Sequence, residues 1–241
     1  MKDFREAEAA KRWLLFELGE LGLPVESWRE RDGGLAFDLL SSERAPVTTG
    51  HADGVITLDV AESDDARREA RREALGEPYR TVLGHFRHEI GHYYWPQLVP
   101  DGPAREACRA LFGDEREDYG AALERHYEQG APADWRERFV TAYATMHPWE
   151  DWAETFAHYL HIWDTLQTAA AYGVSVRGEA MAPQGDGFRA LLEDWLPLTV
   201  ALNALSRSMG RDDLYPFVLP APVVDKLAFV HERVTAAAPP G

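Results

Sequence analysis

The five residues His88-Glu89-Ile90-Gly91-His92 constrain this chain more than any other stretch of it. They spell H-E-x-x-H. Two imidazoles four positions apart on a helix lie on one face, so both can hold one metal ion. The glutamate between them lies beside that metal, where it can take a proton from a bound water. The flanks, residues 79–87 before and Tyr93-Tyr94-Trp95 after, read as one helix. Val82, Leu83, Phe86, Ile90 and Tyr93 supply apolar surface at helical spacing, and Pro96 is the expected stop. Gly91 costs a helix interior about 1 kcal/mol relative to Ala. A glycine kept there signals the close approach of another backbone.

A catalytic zinc needs three protein ligands and one open position. The segment His147-Pro148-Trp149-Glu150-Asp151-Trp152-Ala153-Glu154 begins a second helix, with Pro148 suited to its first turn. Glu150 and Asp151 sit where the positive end of the helix dipole favours anions. Glu150, Glu154, His158, His161 and Thr165 fall on one narrow stripe of that helix, and Trp152, Phe156, Tyr159, Trp163 and Leu166 on the opposite side. A helix largely apolar all round is usually buried, and buried carboxylates are costly unless paired or metal-bound. Glu154 is therefore the expected third ligand, with Glu150, one turn earlier, as the alternative. His158 is placed to orient Glu154 from behind, and His85 shares the face of His88 and His92 as a supporting or packing residue.

Composition narrows the rest. A chain of 241 residues, 45% hydrophobic, can bury a full core, and one domain over 1–241 is expected, with sublobes of about 1–100 and 101–241. A net charge of −16 argues against nucleic acid and against anionic membranes. No apolar run is long enough to span a bilayer, no signal peptide is legible, and one cysteine excludes an internal disulfide framework. A cytoplasmic location is the expectation. Cys108 reads as a small buried hydrophobe.

Along the chain, residues 3–21 predict an amphipathic helix ending near Gly22. Residues 25–40 alternate around Asp32-Gly33-Gly34 as a hairpin, and Val47-Thr49 with Val55-Val60 flank a second turn at 50–54. Residues 63–75 read as a charged helix. After the metal helix, helices are predicted over 103–112, 114–128, 133–146, 148–171, 187–209 and 221–237, with 173–187 as the longest loop. The fold class is α+β: a small N-terminal sheet, the metal helix, then a mostly helical lobe.

The stretch Trp152-Ala153-Glu154-Thr155-Phe156-Ala157 is similar to the glutamate-bearing helix of gluzincin metallopeptidases, which favours Glu154 over Glu150. More closely, His88–Trp95, Leu111-Phe112-Gly113-Asp114-Glu115 and His147–Glu154 resemble the bacterial metallopeptidase family Peptidase_Mx, over residues 10–235. That resemblance implies zinc, a zincin-like fold and a peptide or protein substrate. Members often carry an N-terminal zinc ribbon built on C-x-x-C pairs, which one cysteine cannot supply. An edge strand, taken here as Val55–Val60, would line the cleft by analogy. Zinc would activate water, Glu89 would act as general base, and His88, His92 and Glu154 would be the ligands. Candidate oxyanion donors are His147, Tyr143, Tyr119, His158 and Tyr159. In some gluzincins the donor lies about two turns before the ligand glutamate, the place of His147, with Tyr143 one turn earlier. Rival readings are a zinc-binding scaffold without activity and a di-iron carboxylate protein. The second E-x-x-H that the latter needs is missing, because Glu154 to His158 is one residue too long.

Overall fold

Helix α1 (Lys2–Glu20) buries Ala7, Leu14 and Leu18 completely. It ends as the sequence predicts. Gly22 turns into the left-handed region (φ 67°), and the Leu23 N–H reaches back to the Leu18 carbonyl at 3.0 Å. The computed structural model describes residues 2–43, 45–63, 81–176, 179–180 and 187–238. Most of the expected charged helix at 63–75, and the middle of the 173–187 stretch, lie outside the described residues.

Three short strands follow: β1 (Ala36–Leu40), β2 (Gly50–Ala52) and β3 (Val55–Asp59), in the spatial order β1-β3-β2. The second hairpin forms with a tighter turn than expected: Asp53 and Gly54 are both at positive φ (49° and 85°), and the strand antiparallel to β3 is β2, inside the expected turn, rather than Val47–Thr49. The first expected hairpin does not. Residues 25–35 loop back through a single bridge between Ser27 and Leu35, and β1 instead pairs in parallel with β3. Val25 is exposed, whereas Ile56 and Leu58 are wholly buried, so β3 offers β1 the deeper seam. β3 is thus the central strand, and the expected edge at Val55–Val60 is corrected to β2, which packs against the metal-motif helix.

That helix, α2 (Val82–Leu98), starts at Thr81, whose hydroxyl accepts the Gly84 N–H at 2.9 Å. Pro96 lies inside it, not at its end. In the last turn a proline forfeits little more than its own hydrogen bond, and Val99 N–H to Trp95 C=O closes the helix two residues later. Helices α3 (Pro103–Phe112) and α4 (Tyr119–Gln129) come next, α4 capped by the Asp118 carboxylate. The helix expected over 133–146 is replaced by two 3₁₀ turns, Trp135–Glu137 and Tyr143–Thr145. Only Val140, Ala144 and Met146 of that stretch are buried, too little apolar surface to anchor a continuous helix.

Helix α5 (Pro148–Ala171) occupies the expected span and is the axis of the core. Trp152, Phe156, Leu160, Ile162 and Leu166 are fully buried, packed by α2, α6 (Phe188–Ser208) and α7 (Ala221–Ala237). The α2–α5 crossing is tightest at Gly91. A methyl group there would stand 3.1 Å from Cα and 3.3 Å from the carbonyl oxygen of Ala153. The Trp152 indole N–H donates to the Gly91 carbonyl at 2.9 Å across the same crossing. The architecture is α+β, a small N-terminal sheet and the motif helix followed by helices. No helix among the described residues is long and apolar enough to cross a membrane.

Candidate metal centre

The close crossing of α2 and α5 sets two helical stripes against each other: His88 and His92 on one, Glu150 and Glu154 on the other. The two imidazoles turn Nε2 to Nε2, 3.1 Å apart. The Glu150 carboxylate completes a triangle, with Oε2 3.0 Å from Nε2 of His88 and Oε1 3.5 Å from Nε2 of His92. Ligand atoms 2.0–2.1 Å from one tetrahedral ion stand about 3.3 Å from each other, so these edges match one ion's coordination sphere. Among the described residues, His88, His92 and Glu150 form a group of ligand atoms fit to hold a metal.

Two further observations test that fit. Glu150 is 3% exposed, and its Oε2 makes no well-formed hydrogen bond, only the 3.0 Å approach to His88 Nε2. A buried, orphaned carboxylate oxygen is costly, and a cation at the triangle's centre would satisfy it. Its other oxygen, Oε1, accepts the Tyr119 hydroxyl proton at 2.9 Å, which leaves Oε2 as the free ligand atom.

Glu154, the expected third ligand, stands outside that triangle. Its Oε1 meets Nδ1 of His88 at 2.6 Å, on the far side of the ring from Nε2. One helical turn moves a side chain by about 5 Å along the axis, enough to carry it from the front of His88 to its back. A carboxylate behind a ligand imidazole fixes its tautomer and raises its basicity. Thr141 also hydrogen-bonds Glu154. His158, expected to orient Glu154, instead directs Nδ1 to the Tyr215 hydroxyl at 2.7 Å and acts on Glu154 only through space.

The electrostatics reflect this crowding. Burial would raise the Glu150 carboxyl, yet the adjoining imidazoles of His88 and His92, by contact and by charge, hold it far below the ordinary carboxylate range. Burial alone would depress the His88 imidazole, but Glu150 and Glu154 hold it well above its usual value. A proton and a metal ion compete for the same seat at Nε2. Burial, reinforced by the Glu150 charge, raises the phenols of Tyr119 and Tyr143, so both stay protonated.

Glu89, the expected base, is buried on α2 between the two histidines and acts electrostatically on Tyr119. Tyr143 stands beside the site, its ring 6.0 Å from that of His88, and its hydroxyl hydrogen-bonds Tyr119. Tyr119 has one proton, and Glu150 takes it, so Tyr143 is the donor in that pair. His147 does not fit the role of oxyanion donor. Its Nδ1 accepts the Trp149 N–H as the N-cap of α5, and its Nε2 meets the Glu117 carbonyl at 3.2 Å. One nitrogen caps α5 and the other ties it to the segment before α4. Tyr159 is directed to His231, away from the metal group. His51 on β2 was not foreseen. Its ring packs edge-on to Tyr93, 6.0 Å away, and burial followed by the His92 charge pushes its pKa down to about 4. Thr141 and Tyr215 were likewise missed, since nothing local in sequence links them to the motif.

Residues 1–233 match the family described as "Putative zinc-binding metallo-peptidase". The chain is 52% identical over 244 residues to an uncharacterized protein of Mycobacterium bovis and to uncharacterized proteins of Mycobacterium tuberculosis strains CDC 1551 and H37Rv. Each alignment covers 99% of this chain and 72% of the relative. No solved structure matches the chain.

Proposed function

The chain belongs to the Peptidase_Mx family, and on that premise we propose that it is a zinc-dependent peptidase of the gluzincin kind, acting on a peptide or protein substrate. The convergence of His88 Nε2, His92 Nε2 and the orphaned Glu150 Oε2 carries the reading. These three residues would hold the ion. Bound there, zinc would acidify a water and polarise a peptide carbonyl.

The chain's own groups supply the remaining steps. Glu89 takes the proton of the attacking water and passes it to the leaving amine. Tyr143, protonated and beside His88, would swing its hydroxyl proton from Tyr119 to the developing oxyanion. Tyr119 serves a different end, holding Glu150 through Oε1, which would leave Oε2 free for the ion. Glu154, braced by Thr141, holds the His88 ring from behind. The edge strand β2, with His51 on it, supports the placing of an extended substrate beside α2 by strand addition.

The test joins metal content to hydrolysis. Protein purified without added metal is expected to carry about one zinc per chain and to cleave members of a peptide library. Glu89→Gln should keep the zinc and lose at least ~100-fold in turnover. A wild type full of zinc and inert toward every peptide would replace the peptidase with a zinc-binding scaffold. Iron in place of zinc would overturn both.

A further inference from the structure

Lys226 of α7 is buried where three parts of the fold meet. Its ammonium donates to the Asp151 carboxylate of α5 at 2.6 Å and to the Arg138 carbonyl at 3.0 Å. It also lies over the Phe139 ring, 4.3 Å from the centroid, with the Phe112 ring of α3 at 5.6 Å. Two hydrogen bonds and two aromatic faces thus surround one charge. A buried ion pair is weak evidence for stability, since apolar residues of similar volume often serve as well. What this one supplies is direction. Its bonds fix Arg138 and Phe139 against α5 at Asp151, the residue after Glu150.

The segment that begins there needs such an anchor. Residues 139–142 form neither helix nor strand, and of these four only Val140 is buried. Yet the segment serves the metal centre. The Thr141 hydroxyl accepts the Ala144 N–H at 3.1 Å, so its own proton goes to Glu154. Glu154 in turn meets Nδ1 of His88 at 2.6 Å. Tyr143, two residues on, lies beside the same imidazole. Thr141 is only two residues from Phe139, about 7 Å of extended chain, too short a span to absorb a shift at the anchor.

We propose that Lys226 is a positioning residue of the metal centre: by holding Arg138 and Phe139 on α5 it sets Thr141 against Glu154 and, through Glu154, the imidazole of His88. This role presupposes the metal centre of His88, His92 and Glu150, whether or not the chain cleaves peptides. It gives α7, the helix farthest from the motif in sequence, a part in that centre.

The zinc affinity of the whole chain, stripped of metal and titrated with zinc against a chelating dye, tests it. Lys226→Met should weaken zinc binding about 5-fold or more, and Thr141→Val likewise. The two together should weaken it no further than Thr141→Val alone, because both act through one hydrogen bond. Lys226→Met leaves Asp151 buried without its counter-charge. If that variant does not fold, Asp151→Asn/Lys226→Met, which strands no charge, takes its place in the cycle. A lysine that served stability alone would change the Tm but not the zinc affinity of the folded chain. Unchanged affinity in the folded Lys226 variant, or losses that multiply when it is combined with Thr141→Val, overturns the proposal. A wild type that binds no zinc would remove the metal centre itself, and the role of Lys226 with it.

Discussion

Glu150 and Glu154 are chemically identical and one helical turn apart, and what each touches separates their roles. Glu150 places an unpartnered oxygen among the imidazole Nε2 atoms, while Glu154 presses on Nδ1 of His88. Replacing a ligand removes a bond to the metal, whereas replacing the group behind a ligand only loosens its orientation, typically a 10–100-fold effect. Glu150→Gln should therefore abolish stoichiometric zinc, and Glu154→Gln should weaken affinity by about 10–100-fold. Competition with a chelating dye measures both. Equal losses, or a greater loss in Glu154→Gln, would return the ligand to the position first read from sequence. At Gly91 the same precision acts on packing. Alanine has the better helix propensity by about 1 kcal/mol, but the atoms its methyl would meet are Ala153 backbone and Phe156 Cβ, which cannot swing aside. Overpacking wins, and Gly91→Ala should lower unfolding stability by about 1–2 kcal/mol in urea. A variant as stable as the parent would mean that α2 and α5 can separate freely.

Between elements, Arg87 joins three helices. It reaches Glu17 on α1 at 3.1 Å and Asp164 on α5 at 2.7 Å from its place on α2, and Trp13 of α1 also donates to Asp164. One guanidinium can balance one of two carboxylates, and Glu17, wholly buried, is the one that keeps its proton. Burial lifts its pKa to about 8, against the lowering effect of Arg87. The folded chain then holds a proton that the unfolded chain releases above about 4.5. That contribution is complete below pH 4.5 and is lost as pH rises through about 8, with the native state's advantage falling by a few kcal/mol at most. Urea midpoints from pH 5 to 9 should decline in the wild type and decline less in Glu17→Gln, which carries the neutral form permanently. Parallel curves would show that Glu17 is ionised in the fold. Arg87→Met should cost more than Glu17→Gln, because it strands the part-buried Asp164 carboxylate without its counter-charge.

For the molecule as a whole, the candidate metal group draws on the motif helix of the N-terminal part and the long helix of the C-terminal part. An ion bound only by the folded chain stabilises it by mass action, about 4 kcal/mol at a thousandfold excess over Kd. Stripping with a chelator should lower the Tm by several degrees, and restoring zinc should recover it, whereas Glu150→Gln should respond to neither. A Tm insensitive to chelation would argue that α2 and α5 hold each other without the ion. The burial of Trp152, Phe156, Leu160 and Leu166 between them makes a folded, metal-free protein the expected product of chelation.

Much of this was legible in the sequence because helices announce themselves by period and by punctuation. Pro148 and Pro103 open α5 and α3 at the expected residues, Gly22 closes α1, and Trp152, Phe156, Tyr159 and Leu166 of α5 face the core. The two histidines and their shared face follow from spacing alone, and the requirement for a close neighbour at Gly91 follows from its lack of a side chain. Strand partners did not follow, because β1 could pair with residues 25–27 or with β3, and only relative burial chose between them. Which carboxylate joins the two imidazoles was beyond sequence for a related reason. Glu150 and Glu154 share a stripe, and the depth at which α5 crosses α2, fixed by Gly91 against Ala153, determines which carboxylate stands level with the imidazole Nε2 atoms. Local periodicity determined which residues share a face; the crossing of two helices decided which of them meet.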